Sequence, residues 1–178
     1  MPKEYATAET FRRITADQLQ PILDVLIKIE WPCSATQIPH IIERLGWVHK
    51  KDMVDAVADT RLSLNRTSGE FSRPHGEFRR LGFPVSDYVN EDDTTALKAV
   101  RDAFPLAVLD VESILGPRSF EESGDSIGVA WDLESGGRFR LDCIDIGLQA
   151  RLLARDLADA ERFEETHDMS EFYNDDDE

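Results

Sequence analysis

The chain has 178 residues, with 20 Lys and Arg against 36 Asp and Glu, a formal net charge of -16. That length suits a single domain with a tail, and 41% apolar residues are enough to bury a core beneath a heavily charged skin. The charge argues against direct binding to nucleic acid or to an anionic bilayer, since both repel an acidic domain that lacks a concentrated basic patch.

Residues 1–14 carry no core pattern and read as a loosely ordered start. Thr15-Ala16-Asp17-Gln18 has the spacing of a capping box, and Leu19, Ile22, Leu23 and Leu26 then recur at helical intervals. Pro21 conflicts with that start, so the helix either begins near Gln20 with Pro21 in its first turn or bends there. A second box, Ser34-Ala35-Thr36-Gln37, precedes Ile38, Ile41, Ile42 and Leu45, and Gly46 supplies a left-handed stop. The two segments predict a helical hairpin joined at Trp31-Pro32-Cys33.

Beyond Trp47 the period changes. Residues 50–58 are ambiguous, Thr60–Asn65 alternates as a half-buried strand does, and residues 66–76 hold turn formers without a period. Glu77–Tyr88 reads as the partner strand, interrupted by Gly82 and Pro84. Asp92-Asp93 can cap a long helix whose stripe runs through Leu97, Val100, Phe104, Val108 and Val111 to Gly116-Pro117, with a kink expected at Pro105. Ser126–Leu133, Arg138–Cys143 and Ile146–Leu153 alternate as an antiparallel meander. Residues 154–165 form a last helix with Leu157, Ala160 and Phe163 as a narrow apolar face.

This order predicts an α+β fold: an N-terminal helical hairpin and a long helix on one face of a mainly antiparallel sheet of about five strands, with a C-terminal helix. The domain spans residues 15–165, and residues 166–178, ending Asp175-Asp176-Asp177-Glu178, form an acidic tail expected to be disordered. Residues 156–178 carry 11 acids against the single base Arg162, so ten of the sixteen net negative charges sit there.

Cys33 and Cys143 are isolated, and His40, His49, His75 and His167 make no short-spaced pair, so neither a metal site nor a cofactor is expected. With no signal-peptide pattern and no apolar run of about 20 residues, a cytoplasmic protein is expected. Gly136-Gly137 lies between strands rather than before a helix, which does not suit a phosphate cradle. The carboxylate pairs Asp142 with Asp145 and Asp132 with Glu134 have the composition of hydrolytic dyads, although a chain with 36 acids produces such pairs by chance and a solvated face explains them as well. No Gly-x-Ser-x-Gly elbow is present. No catalytic residue is assigned, and the chain is read as a binding protein rather than an enzyme.

Loop 66–76 mixes Phe71 with Arg66, Arg73 and His75 and can be a recognition element or a surface hairpin tip. Glu121, Glu122 and Asp125 make a second candidate loop. The acidic terminus, with Met169, Phe172 and Tyr173, can serve solubility or add attraction to a basic partner.

Ile29-Glu30-Trp31, Leu45-Gly46-Trp47, Asp59-Thr60-Arg61-Leu62, Leu115-Gly116-Pro117 and Trp131 stand in an order that resembles small acidic actinobacterial immunity proteins encoded beside secreted polymorphic toxins, over residues 15–153. The resemblance implies an antitoxin that binds a cognate toxin, preferably an NAD glycohydrolase, in a one-to-one cytoplasmic complex and occludes its active site. Arg66, Phe71, Arg73, His75, Glu121, Glu122 and Asp125 are the candidate contacts. The helix-Leu-Gly-Pro-strand-Trp layout is also similar to type III secretion chaperones, which implies a module that holds its partner without inhibiting chemistry.

Overall fold

The computed structural model describes residues 4–52, 54–123 and 127–167. Four helices accompany ten strands among these residues: α1 (Ala16–Leu26), β1 (Cys33–Ser34), α2 (Ile38–Arg44), β2 (Val48–Asp52), β3 (Ala56–Asp59), β4 (Ser68–Ser72), β5 (Glu77–Phe78), β6 (Arg80–Pro84), α3 (Thr94–Leu115), β7 (Phe120–Glu122), β8 (Ile127–Asp132), β9 (Arg138–Cys143), β10 (Leu148–Leu153) and α4 (Arg155–Thr166). The fold is α+β. Eight strands form one sheet in the order β2-β3-β4-β6-β10-β9-β8-β7, every pair antiparallel, and β1 with β5 forms a separate two-stranded ladder.

The sheet is thus larger than the five strands expected. The ambiguous segment 50–58 supplies much of β2 and β3, whereas Thr60–Asn65 is loop. Its alternation is local: Arg61 adopts φ 55°, and the Asp59 carboxylate accepts its backbone N–H at 2.9 Å, which bends the chain. Residues 68–72 of the expected loop are a central strand. Phe71 therefore points into the core and is 0% exposed, which removes it from the candidate contacts.

Thr15 caps α1 and Gln18 returns the bond, so the helix starts at Ala16; Pro21 lies inside it and faces solvent. α3 likewise runs unbroken from its Asp93 cap through Pro105 to Gly116, where φ 87° ends it. Both prolines are exposed, where water can take the carbonyl that a missing N–H leaves unpaired. Instead of a simple helical hairpin, β1 and a 3-10 turn capped by Ser34 separate α1 from α2. Residues 4–14 are not loose: Ala6 bridges Val89, Arg13 bridges Ser86, and Ala6 and Ile14 are buried. The tail residues 168–178 lie outside the described residues.

Cross-strand neighbours share a face. One row, Ala56, Phe71, Leu81, Leu152, Phe139 and Trp131, runs across six strands and is closed from solvent. α1 and α3 pack over it, with Leu19, Ala107 and Val111 meeting Phe139 and Leu141. Trp47 stands edge-on to Phe71 and Phe83, with centroids 6.2 and 5.2 Å away, and Phe78 joins Phe71 to Trp31 at 5.4 Å on each side.

Phe71 is the middle ring of that aromatic chain. Replacing it by Ala should lower unfolding free energy by about 3–5 kcal/mol, as a lower urea midpoint at unchanged slope.

Candidate functional site

The opposite face of the sheet is a polar groove of about 1050 Å³. The second face-sharing row runs Val57, Glu70, Gly82, Arg151, Arg140, Ala130 and Phe120, and Glu70, Gly82, Arg151, Arg140 and Phe120 of it line the groove floor. Arg151 and Arg140 stand directly opposite one another, an arrangement that repels unless an anion intervenes. Asp142 is that anion: Oδ1 lies 3.0 Å from Arg140 Nη2 and Oδ2 lies 2.8 Å from Arg151 Nε. Arg140 also bonds Glu122 at 2.8 Å and Glu161 at 3.1 Å. Gly128 in β8 is paired with Asp142, and a Cβ there would sit 2.4 Å from Asp142 Oδ1 and 2.7 Å from Arg140 Nη2, so a side chain would have to displace the ends of this pair.

One row along, Arg138 is 1% exposed and bonds Asp132 at 2.9 Å, Glu161 at 3.2 Å and Glu165. Arg162 adds a second hydrogen bond to Asp132 at 2.7 Å. Burial works against the charges of Arg138 and Arg140, yet their carboxylates outweigh it and hold both guanidiniums further above their usual range. At Asp132 burial favours the neutral acid, but the bonds from Arg138 and Arg162 prevail and keep its carboxyl below the usual carboxylate range.

α4 forms the wall over this end of the groove, with Glu161, Glu164 and Glu165 among the lining. The expected apolar face of this helix is not what docks it. Ala160 and Phe163 are exposed, Leu157 is half-buried, and the one buried residue is Ala158; the carboxylates turn inward to the strand arginines.

A polar clasp builds the far end. Asp87 is buried and accepts the backbone N–H groups of Arg12 and Asn65 at 2.9 and 2.8 Å. Asn65 in turn bonds Tyr88 backbone N–H and C=O at 2.7 and 2.9 Å and the carbonyl of Glu4 at 3.1 Å. The clasp fixes Arg66, whose guanidinium lies 5.5 Å from the Tyr5 ring centre and 5.9 Å from that of Tyr88. Burial pushes the Tyr88 phenol up, Arg66 opposing and Glu70 adding to the rise.

Of the sequence candidates, Arg66 and Glu122 line the groove. Arg73 lies elsewhere, 3.1 Å from Asp52 and beside His49, and His75 sits in an exposed turn at φ 56°. Glu121 is 3.4 Å from Arg118 on the edge strand, and Asp125 lies outside the described residues. The groove thus brings together one residue from each predicted loop, Arg66 and Glu122, and leaves Arg73, His75 and Glu121 outside it. Asp142 and Asp132 are each held by two arginines, and Asp142 and Asp145 both line the groove. Arg138, Arg140, Arg151, Asn65 and Asp87 are not among the candidates; the alternation Arg138, Arg140, Asp142 is the visible signal for the first two, and Asn65 and Asp87 have none.

Among the described residues no group of three or more His, Cys, Asp or Glu is arranged to hold a metal ion, and no helix is long and apolar enough to cross a membrane. Burial raises both cysteine thiols, with Asp145 adding to the effect at Cys143.

Residues 17–153 match a family of unknown function, DUF6301. The chain belongs to this family. No curated protein and no solved structure matches it. The DUF6301 match ends on the last residue of β10, so the groove floor lies within it and α4 beyond it.

The depressed Asp132 carboxyl contributes stability that is complete above the unfolded aspartate range, near pH 4, and is lost as pH falls through its lower folded value. The stability gap between the wild type and Asp132→Asn should be full at neutral pH and narrow below about pH 4, read from urea unfolding across that range.

Proposed function

We propose that this DUF6301 protein is an immunity-type module that binds a cognate toxin domain one-to-one and occludes its substrate site, with an NAD glycohydrolase as the preferred partner. The groove is the proposed contact surface, and its unbalanced charge is the observation that supports the reading. On its floor and wall Arg140 and Arg151 pair with Asp142, Glu122 and Glu161, one carboxylate more than they balance. Asp55, Glu70, Asp145 and Glu164 also line it with no ion pair among the described residues, against Arg66 and Arg80 in the same condition. The surplus is carboxylate.

A domain that handles an anionic nucleotide gathers positive charge around its cleft, and a groove of opposite sign is steered toward it. The size agrees: about 1050 Å³ lies at or beyond the upper end of pockets that enclose small ligands, roughly 300–1000 Å³, and the lining is mostly polar, which suits a protein loop better than a metabolite. Arg66 and Glu122 are the sequence candidates kept as contacts; Arg73, His75 and Glu121 lie outside this surface.

The purified chain should co-elute as a one-to-one species with the toxin domain encoded beside its gene, and the toxin's NAD turnover should be lost in the complex. Absence of a complex overturns the reading, and a complex that keeps full turnover assigns the chain to the chaperone-like class instead. If the groove is the contact, Asp145→Asn with Glu164→Gln should slow association about tenfold at low salt, with a much smaller effect at about 1 M salt.

A further inference from the structure

α4 is held in an unusual way for a helix lying on a sheet. Amphipathic helices dock by an apolar stripe, yet Ala158 is the only buried residue here, and the exposed Phe163 stacks on His167 with centroids 3.8 Å apart instead of meeting the sheet. What faces the sheet is charge. Glu161 reaches Arg138 and Arg140, Glu165 reaches Arg138, Arg162 reaches Asp132, and Asp156 reaches Arg79.

Such a contact has lopsided energetics. While the pairs are complete, Arg138 and Arg140 are neutralised under the helix, but removing the carboxylates leaves two almost fully buried guanidiniums short of partners, which favours letting water in. Little apolar area opposes that opening. The sheet beneath does not need α4 for its ladder, because β10 is already paired on both sides, with β6 and β9.

The wall also sets the sign of the groove. With α4 docked, the lining holds four arginines against eight carboxylates. Glu161, Glu164 and Glu165 leave with the helix, and Arg138 and Asp132 are uncovered, so the sheet and its loops then present five arginines against six carboxylates.

We propose that α4 is a releasable wall of the groove, latched by Glu161 and Glu165 on Arg138 and Arg140, whose release cancels most of the groove's acid excess. That this controls a basic partner rests on the groove being the partner site; the release itself is read on the chain alone, so the two can fail separately.

The test is amide hydrogen exchange on the full-length chain. In Glu161→Gln with Glu165→Gln, amides of α4 should exchange at least tenfold faster, while those of β9 and β10 keep their protection. Glu164→Gln, which removes one charge from the same turn without touching Arg138 or Arg140, should change α4 exchange less than twofold. In the wild type, raising salt from about 0.01 to about 1 M, which shortens the screening length from about 30 Å to about 3 Å, should also speed α4 selectively. Unchanged α4 exchange in the double variant overturns the proposal. So does equal acceleration by Glu164→Gln, or loss of protection in β9 and β10 together with α4.

Discussion

Two arginines face each other across neighbouring strands, and one carboxylate holds both. Asp142 divides its oxygens between Arg140 and Arg151, and this shared pair fixes much of the open face around it. It explains why β8 carries Gly128 where a side chain would collide, why the edge strand β7 places Glu122 beside Arg140, and why α4 can lie over a strand that has no apolar residue to offer on that side. Replacing buried charges by apolar residues is often neutral or better for stability. Three of them side by side on β9, Arg138, Arg140 and Asp142, therefore suit a surface whose geometry matters more than its contribution to folding.

The two faces of the sheet divide the work. The inner face, from Ala56 to Trp131, is continuous and apolar and carries α1 and α3, so it supplies the cohesion. The outer face holds the ion pairs around Arg138 and Arg140 and leaves a groove, bounded at one end by α4 and at the other by the Asn65–Asp87 clasp. The clasp draws on three distant stretches, around Glu4 and Arg12, at Asn65 and at Asp87–Tyr88, so Arg66 is positioned by residues from both ends of the first half of the chain.

Helices with strong local punctuation were legible in the sequence: Thr15 with Gln18, Asp93 and Gly116 mark boundaries that the structure keeps. So was the β8–β10 meander, because its alternation and turns agree. The strands at 48–72 were not. Val48–Asp52 is exposed throughout and carries no alternating burial, and Phe71 sits among turn formers, so local pattern placed the strand one segment too late. The groove was hidden for a different reason. Its ion pairs join Arg138 to Glu165 and Arg140 to Glu122, a hydrogen bond joins the Asn65 backbone N–H to Asp87, and no spacing rule links positions 18 to 27 residues apart on different elements. A period-2 run of charges such as Arg138, Arg140 and Asp142 reads as a wet face until the helix above it is known.

The outermost strand at the β2 end carries its own implication. It presents Lys50 and Lys51, and its pairing with β3 slips between His49 and Lys51. Charge and an irregular backbone on a free edge are the usual defences against a foreign strand adding itself to a sheet. An eight-stranded sheet left open on a smooth, apolar border would recruit copies of itself. Here that border is blunted, so at the β2 end the backbone ladder stops where it is, and an extended chain of almost any sequence finds no template to continue it.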